Sequence, residues 1–504
     1  MVRKVFSATV AGIHSVPVVI EVDSSLGLPG FSMVGLPDSA VRESRERVVS
    51  ALRSSGFQPM SRRITVNLAP ADIRKEGSAF DLALAVGLLL ATEQFECNQA
   101  SDVLMIGELS LDGNVQPIRG VLSMALCAHK LGKRLIVPLA NAEEALAVDG
   151  LDVMGVNSLV DCLEGLAGNV SGSFRKGGNQ VKTPSLQSVS CPDFSGVQGM
   201  LGVRRALEIV AVGWHHFLMV GSPGAGKTMC AQCLPGILPP MFPQEAIETT
   251  MIHSCSGNLQ AGGGLLEKRP FRAPHHTASS VSLVGGGRNP RPGEISLAHN
   301  GLLFLDEFPE FSRASIEGLR QPLEAGEVTV ARAQETITWP ARFLLGAAMN
   351  PCPCGYSLDP SRECGCAPGD VTRYRSRISG PMLDRIDLQI QVPIQPFDLL
   401  RVSSGESSAT IAERVQRALA WQKLRFEGNS QWVWNSQLSG DLLRAHCRLG
   451  TEEEALLKQA ANRLKLSTRG VFRVLKVART IADLRMGEVI KKEDIAEAVQ
   501  YRLL

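Results

Sequence analysis

Phe217-Leu218-Met219-Val220 followed by Gly221-Ser222-Pro223-Gly224-Ala225-Gly226-Lys227-Thr228 is the stretch that decides the fold. Four apolar residues read as a buried strand, GSPGAGKT as a glycine loop, and the residues after it as a helix. That order is what a phosphate-binding loop requires. Glycines let successive backbone N–H groups turn inward around phosphate oxygens. The helix start adds the positive end of its dipole, and Lys227 adds a full charge. Gly221, Ser222, Pro223, Gly224, Ala225, Gly226, Lys227 and Thr228 are therefore expected to bind the phosphates of ATP.

A second motif makes the chain a hydrolase rather than a binder. Gly301-Leu302-Leu303-Phe304-Leu305-Asp306-Glu307 is an apolar run ending in two acids. A buried strand would deliver Asp306 to Mg²⁺, together with the Thr228 hydroxyl. Glu307 would polarise the attacking water as a general base. The strand-like run Phe343–Met349 ends at Asn350-Pro351. An amide there would lie between the acids and the γ-phosphate, although an Asn-Pro by itself is a turn.

Away from these motifs the chain reads as an ordinary globular protein. Its 504 residues are too many for one core, and 20% are charged. The longest apolar stretch, Leu82 to Ala91, is about half a membrane span and reads as a buried helix. The start, MVRKVFSATV, lacks the apolar core of a signal peptide, so a cytoplasmic protein without membrane contact is expected. The net charge of +2 excludes a strongly basic protein. From Arg401 onward, 18 Lys+Arg face 12 Asp+Glu, a bias toward an anionic partner that a solvated helical surface explains equally well.

Four regions are expected. Residues 1–167 alternate strand-like and helical runs, an α/β domain. Residues 168–192 are rich in Gly, Ser, Thr and Asn, a linker. Residues 193–397 form the nucleotide-binding core, and residues 398–504 a helical domain. Within the core, two arginine-bearing stretches read as loops for phosphate-backbone contact. One is Gly285–Gly293, with Arg288 and Arg291; the other is a hairpin from Glu327 to Arg342, with Arg332 near its turn. Incidental arginines on solvated loops are the plain alternative. The chain has twelve cysteines. Cys352-Pro353-Cys354 and Cys364-Gly365-Cys366 place four thiolates on one short loop, which suits a tetrahedral structural Zn²⁺.

The order of GSPGAGKT, LLFLDE, AAMNPCPCG, SGPMLDRIDL and STRGVFRVLKVARTIADL closely resembles the YifB/ComM family of Mg-chelatase-like AAA+ ATPases, over nearly the whole chain. Chemistry alone reads Arg385 and Arg469 as surface or capping residues. The resemblance implies that Asn350 is sensor 1 and that Arg385 is an arginine finger acting in trans. It makes Arg469 sensor 2, acting through a C-terminal helical lid. It implies a homo-hexameric ring with ATP between subunits, and a helicase that promotes DNA branch migration during natural transformation. The loops with Arg288, Arg291 and Arg332 would then line the pore. A chelatase-type motor acting on a protein or metal-insertion partner shares the same ATPase parts.

Residues 1–167 resemble the Lon-protease-like domain, of the ribosomal S5 domain 2 type. Lys75-Glu76-Gly77-Ser78-Ala79-Phe80-Asp81 and Ile106–Gly113 carry that likeness. The nucleophile position is Ala79 and the lysine position Leu122, with Ser78 one place early. A Ser–Lys pair needs both partners in reach, so peptidase activity is not expected. Arg42, Arg45, Arg47, Arg62 and Arg63 offer basic surface there.

Overall fold

The computed structural model describes residues 2–36, 38–58, 62–72, 75, 77–168, 173–178, 191–259, 262–287, 290–331, 336–394, 405–426 and 432–502. The chain divides into two compact units, and the division is discontinuous. One holds residues 1–187 with Pro243–Leu266; the other holds Ser188–Phe242 and Glu267–Leu504.

The N-terminal unit is built on an eight-stranded mixed sheet. Its long antiparallel centre pairs Val2–Ala11 with His14–Ser25, and the latter with Arg63–Ala69. Parallel strands Val103–Met105, Arg134–Pro138 and Asp152–Val156 extend one side. Asp81–Ala91 packs against the sheet as a helix buried at all 11 residues, which explains its uninterrupted apolarity. At its start, buried Asp81 is bonded by Arg47 through Nε at 2.7 Å and NH2 at 3.2 Å. Burial raises the Asp81 pKa above the usual carboxylate value, and Arg47 works against that rise. Arg47 therefore belongs to an internal pair rather than to a basic surface.

Two features of this unit differ from the sequence reading. Part of the stretch read as linker, Arg175–Lys176, adds an edge strand paired antiparallel to Asp152–Val156. The helix Pro243–Ser256, which follows the phosphate loop in sequence, belongs to this unit. Its Ser254 hydroxyl donates to Glu144, whose carboxylate also accepts from Leu122 N–H at 2.8 Å and Asn141 Nδ2 at 3.3 Å. Gly262 N–H donates to Ala140 O at 2.9 Å.

The second unit is an α/β sandwich. Five strands lie parallel in the order Phe271–Arg272, Leu302–Leu305, Leu344–Met349, Phe217–Val220, Leu388–Gln391. Alternate residues enter opposite cores. Phe217, Met219, Phe304 and Leu344 face one core, shared with Val474, Val477 and Ile481 of the C-terminal helix Thr468–Leu484. Leu218, Val220, Leu303, Leu305 and Leu345 face the other, with Phe308, Ile316 and Met382. A parallel sheet buried on both faces needs continuous apolar strands, and LLFL and FLMV are buried at every residue. All carboxyl ends emerge on one edge. The phosphate-loop strand and the acidic strand flank Leu344–Met349, so Gly221, Asp306 and Asn350 leave the sheet side by side. Ligands of open α/β sheets bind at that edge, where the strand order reverses.

Candidate active site

The phosphate loop leaves Val220 and ends at the helix Lys227–Cys233. Gly224 and Gly226 hold φ of 76° and 85°, a left-handed backbone that disfavours a Cβ. Lys227 folds back over the loop. Its Nζ donates to Gly221 O at 2.7 Å, Ser222 O at 3.0 Å and Asn350 Oδ1 at 3.1 Å. Burial lowers the Lys227 pKa, against the pull of Asp306 and Glu307. A desolvated ammonium beside three oxygens is matched to a phosphate.

The Thr228 hydroxyl donates to Asp306 Oδ2 at 2.5 Å, and Asp306 Oδ1 accepts from Glu307 N–H at 2.9 Å. Hydroxyl and carboxylate meet as oxygen ligands for Mg²⁺ do, and they fit that ion. These groups line a cavity of 370 Å³ formed by Pro223–Met229, Asp306, Glu307, Met349 and Asn350. The residues read from sequence as phosphate-binding, metal-binding and water-activating thus converge, except Gly221 and Ser222, which meet Lys227 from behind.

Arg385 and Arg469 do not join them. Both line a separate cavity of 560 Å³ with Trp214, Arg342, Arg473 and Lys476. Arg385 is buried; its guanidinium donates to Pro381 O at 2.6 Å and to the Glu324 carboxylate. Its Nε has no hydrogen-bond partner among the described residues. Arg473 braces the pair: from the helix that carries Arg469, its NH1 donates to Arg385 O at 2.8 Å and Asp387 Oδ1 at 2.6 Å. Burial works against the charge on Asp387, but His215 and Arg473 outweigh it and hold the carboxyl far below its usual range.

The four clustered cysteines meet. Cys352 Sγ lies 3.3 Å from Cys354 Sγ and 3.6 Å from Cys364 Sγ, and Cys354 N–H donates to Cys366 Sγ at 3.4 Å. All four sulfurs lie within 4.8 Å of one another. Tetrahedral zinc with Zn–S of about 2.3 Å spaces its sulfurs by about 3.8 Å, so the set fits. Burial opposes the Cys352 thiolate, yet hydrogen bonds from Cys354 and Ser357 lower its pKa to about 6. The turn also touches the phosphate loop: a Cβ on Gly355 would meet Pro223 Cδ at 2.5 Å.

Of the arginines read as DNA contacts, Arg288 and Arg332 lie outside the described residues. Arg291 is exposed in the short hairpin Gly285–Gly286 with Arg291–Pro292. The second hairpin pairs Glu327–Ala331 with Thr336–Pro340. In the N-terminal unit, Ala79 and Leu122 are buried. The Ser78 hydroxyl donates to Glu108, and Lys75 Nζ to Pro70 O, so Ser78 and Lys75 have separate partners.

One residue at the site was not singled out from sequence. His276 Nδ1 lies 2.9 Å from Glu307 Oε2. No spacing rule in Ala273-Pro274-His275-His276-Thr277 marks it; only the parallel pairing of Phe271–Arg272 with Leu302–Leu305 brings the two together.

Three families match consecutive parts of the chain. Subunit ChlI of Mg-chelatase matches residues 20–141. Magnesium chelatase, subunit ChlI, matches 193–399, and its C-terminal family matches 405–502. The chain is 42% identical over 499 residues to the uncharacterized protein YifB of Salmonella typhimurium, covering 98% of this chain and 95% of that one. It is 40% identical over 502 residues to the competence protein ComM of Haemophilus influenzae, covering 99% and 97%. It is also similar to Lon protease 2 of Bacillus subtilis, at 31% identity over 128 residues, 25% of this chain and 23% of that protein. No helix among the described residues is long and apolar enough to cross a membrane.

Proposed function

The chain belongs to the magnesium-chelatase-like AAA+ family that includes YifB and ComM, and from that membership we propose an ATP-driven ring motor that moves DNA. The observation that carries the hydrolytic part is the convergence of Lys227, Thr228, Asp306, Glu307 and Asn350 on one cavity. Lys227 neutralises β- and γ-phosphate oxygens. Thr228 and Asp306 would hold Mg²⁺, which would supply further neutralisation of phosphate charge. Glu307 accepts a proton from water as the water oxygen bonds to the γ-phosphorus and the bond to the β-phosphate oxygen breaks. Asn350 orients that water.

Arg385 and Arg469 do not line the phosphate-loop cavity of their own chain. We assign both to the ATP of a neighbouring copy in a homo-hexamer. This changes the role expected for Arg469, since its helix shares a cavity with the trans finger and not with its own phosphate loop. Cys352, Cys354, Cys364 and Cys366 would hold zinc, which would stiffen the turn that abuts Pro223. The exposed Arg291 hairpin and the ComM likeness support DNA as the track, with backbone contacts and no base reading. Recombination during natural transformation is the corresponding role. The family description supports a second reading, a chelatase-type motor on a protein or metal-insertion partner.

Steady-state ATP hydrolysis with and without forked DNA separates the two. The DNA motor predicts stimulation by DNA, and Glu307→Gln should lower turnover about 10²-fold or more while retaining ATP binding. Turnover indifferent to DNA favours the second reading. Equal turnover in Glu307→Gln removes the water-activation assignment.

A further inference from the structure

Arg373-Tyr374-Arg375-Ser376-Arg377 sets three arginines at alternate positions, at the end of the helix Pro368–Arg375. None of them lines the phosphate-loop cavity or the Arg385–Arg469 cavity. Tyr374 anchors the segment: it is buried in one core with Ile378 and Met382, while the three arginines are exposed. Arg375 Nε donates to Pro351 O at 3.2 Å, beside Asn350. Arg373 and Arg377 instead line a third cavity, of 610 Å³, with Arg313, Pro309 and Glu310.

Three guanidinium groups there meet one carboxylate, so the lining is strongly cationic. Arg377 is held ready. Its NH1 donates to Glu310 Oε2 at 2.7 Å, and its guanidinium lies 5.9 Å from the centroid of the Tyr374 ring. Arg373 is 82% exposed and touches only Asp370 of its own helix, at 3.4 Å. Arg313 makes no hydrogen bond among the described residues; its nearby acid, Glu317, is bonded by Arg320 at 2.8 Å. Like charges gathered this way repel unless an anion joins them. Guanidinium forks match phosphate oxygens. The one aromatic side chain of the lining, Phe311, is buried, which leaves a nucleobase no face to stack on. Exposed arginines on long stems suit a run of phosphates better than one small anion in a fixed cradle.

We infer that Arg313, Arg373 and Arg377 form a second contact for the phosphodiester backbone of DNA, apart from the glycine hairpin that carries Arg291. This rests on the reading of DNA as the track. Arg291 stands on a short hairpin. Arg377 stands on the packed core, against the Pro309–Glu310 segment that runs on from Glu307. The contact is to phosphate and carries no base reading.

The test is binding of labelled forked DNA to the full chain, titrated over a range of salt, with Tm as the check of folding. Arg313→Gln/Arg373→Gln should weaken binding about ten-fold and reduce the salt slope by about two phosphate contacts, equally for unrelated DNA sequences. Arg313→Lys/Arg373→Lys keeps both charges and should keep the slope. Glu310→Gln removes the one carboxylate of the lining and should tighten binding about three-fold. Arg444, also 82% exposed and placed on the helix Gly440–His446, is the control for loss of charge alone, and Arg444→Gln should leave the slope unchanged. Affinity and slope unchanged in the double glutamine variant overturn the site and leave the DNA reading standing. An equal loss in Arg444→Gln, or a loss confined to one DNA sequence, also overturns it. Should the double variant fail to fold, weaker or unchanged binding by Glu310→Gln overturns it equally. No binding by the wild-type chain overturns the DNA reading, and this site with it.

Discussion

The phosphate-loop cavity and the Arg385–Arg469 cavity lie in one unit and differ in what they lack. The first gathers a lysine, a hydroxyl, an amide and two acids around space for a triphosphate. The second gathers Arg342, Arg385, Arg469, Arg473 and Lys476 against Glu324, Asp384 and Asp387, and holds no glycine loop to cradle a phosphate. In the proposed motor, one region supplies the binding and water-activating parts, the other the cations that stabilise charge in flight, and each is half of a phosphoryl-transfer site. Two such halves on one chain make sense if each completes the other's in a neighbouring copy.

The largest expected effect comes from emptying the second cavity. Arg385→Ala should lower kcat about 10³-fold, with ATP affinity nearly unchanged, as single-turnover hydrolysis and nucleotide titration would read it. A loss confined to KM would make Arg385 a structural residue and break the division of roles. The brace between the arginines sharpens the same point. Arg473→Ala leaves Asp387 buried with a weakened partner, so both stability and turnover should suffer.

A smaller effect is expected where the first cavity meets the cysteine turn. Protein purified under reductant should hold about one zinc per chain. Removing it, or introducing Cys364→Ser, should lower Tm by about 5–10 °C. Less than about 0.2 zinc per chain would reject the site. The smallest effect is at the hairpin. Arg291→Gln should weaken DNA binding about three-fold and reduce the salt slope by about one phosphate contact. Unchanged affinity and slope would remove that residue from the DNA path.

How much of this was legible in the sequence follows from range. GSPGAGKT and LLFLDE encode their chemistry within eight residues, and the parallel sheet needs no more than their apolar runs to bring them together. The four cysteines also lie within 15 residues. His276 meets Glu307 across 31 positions through a two-residue strand, and no local pattern announces such a pairing. Arg469 was legible as an arginine at a helix start, but its destination depends on how helix Thr468–Leu484 packs on the sheet. The helix Pro243–Ser256 lies within the stretch assigned to the core, residues 193–397, yet belongs to the N-terminal unit. Its buried face includes Thr249, Thr250, His253 and Ser254, polar residues that hide a packing surface from any count of apolar positions.

The division between the two cavities is tested most directly by mixing subunits. Lys227→Ala chains lack a working phosphate loop but keep Arg385; Arg385→Ala chains keep the loop and lack the arginine. Neither should hydrolyse ATP alone. Mixed in equal amounts, they form interfaces where an intact loop faces the partner subunit's Arg385, and hydrolysis should return to a sizeable fraction of the wild-type rate. If the mixture stays as inactive as its components while still assembling, the arginine serves its own chain and the shared-site reading is contradicted.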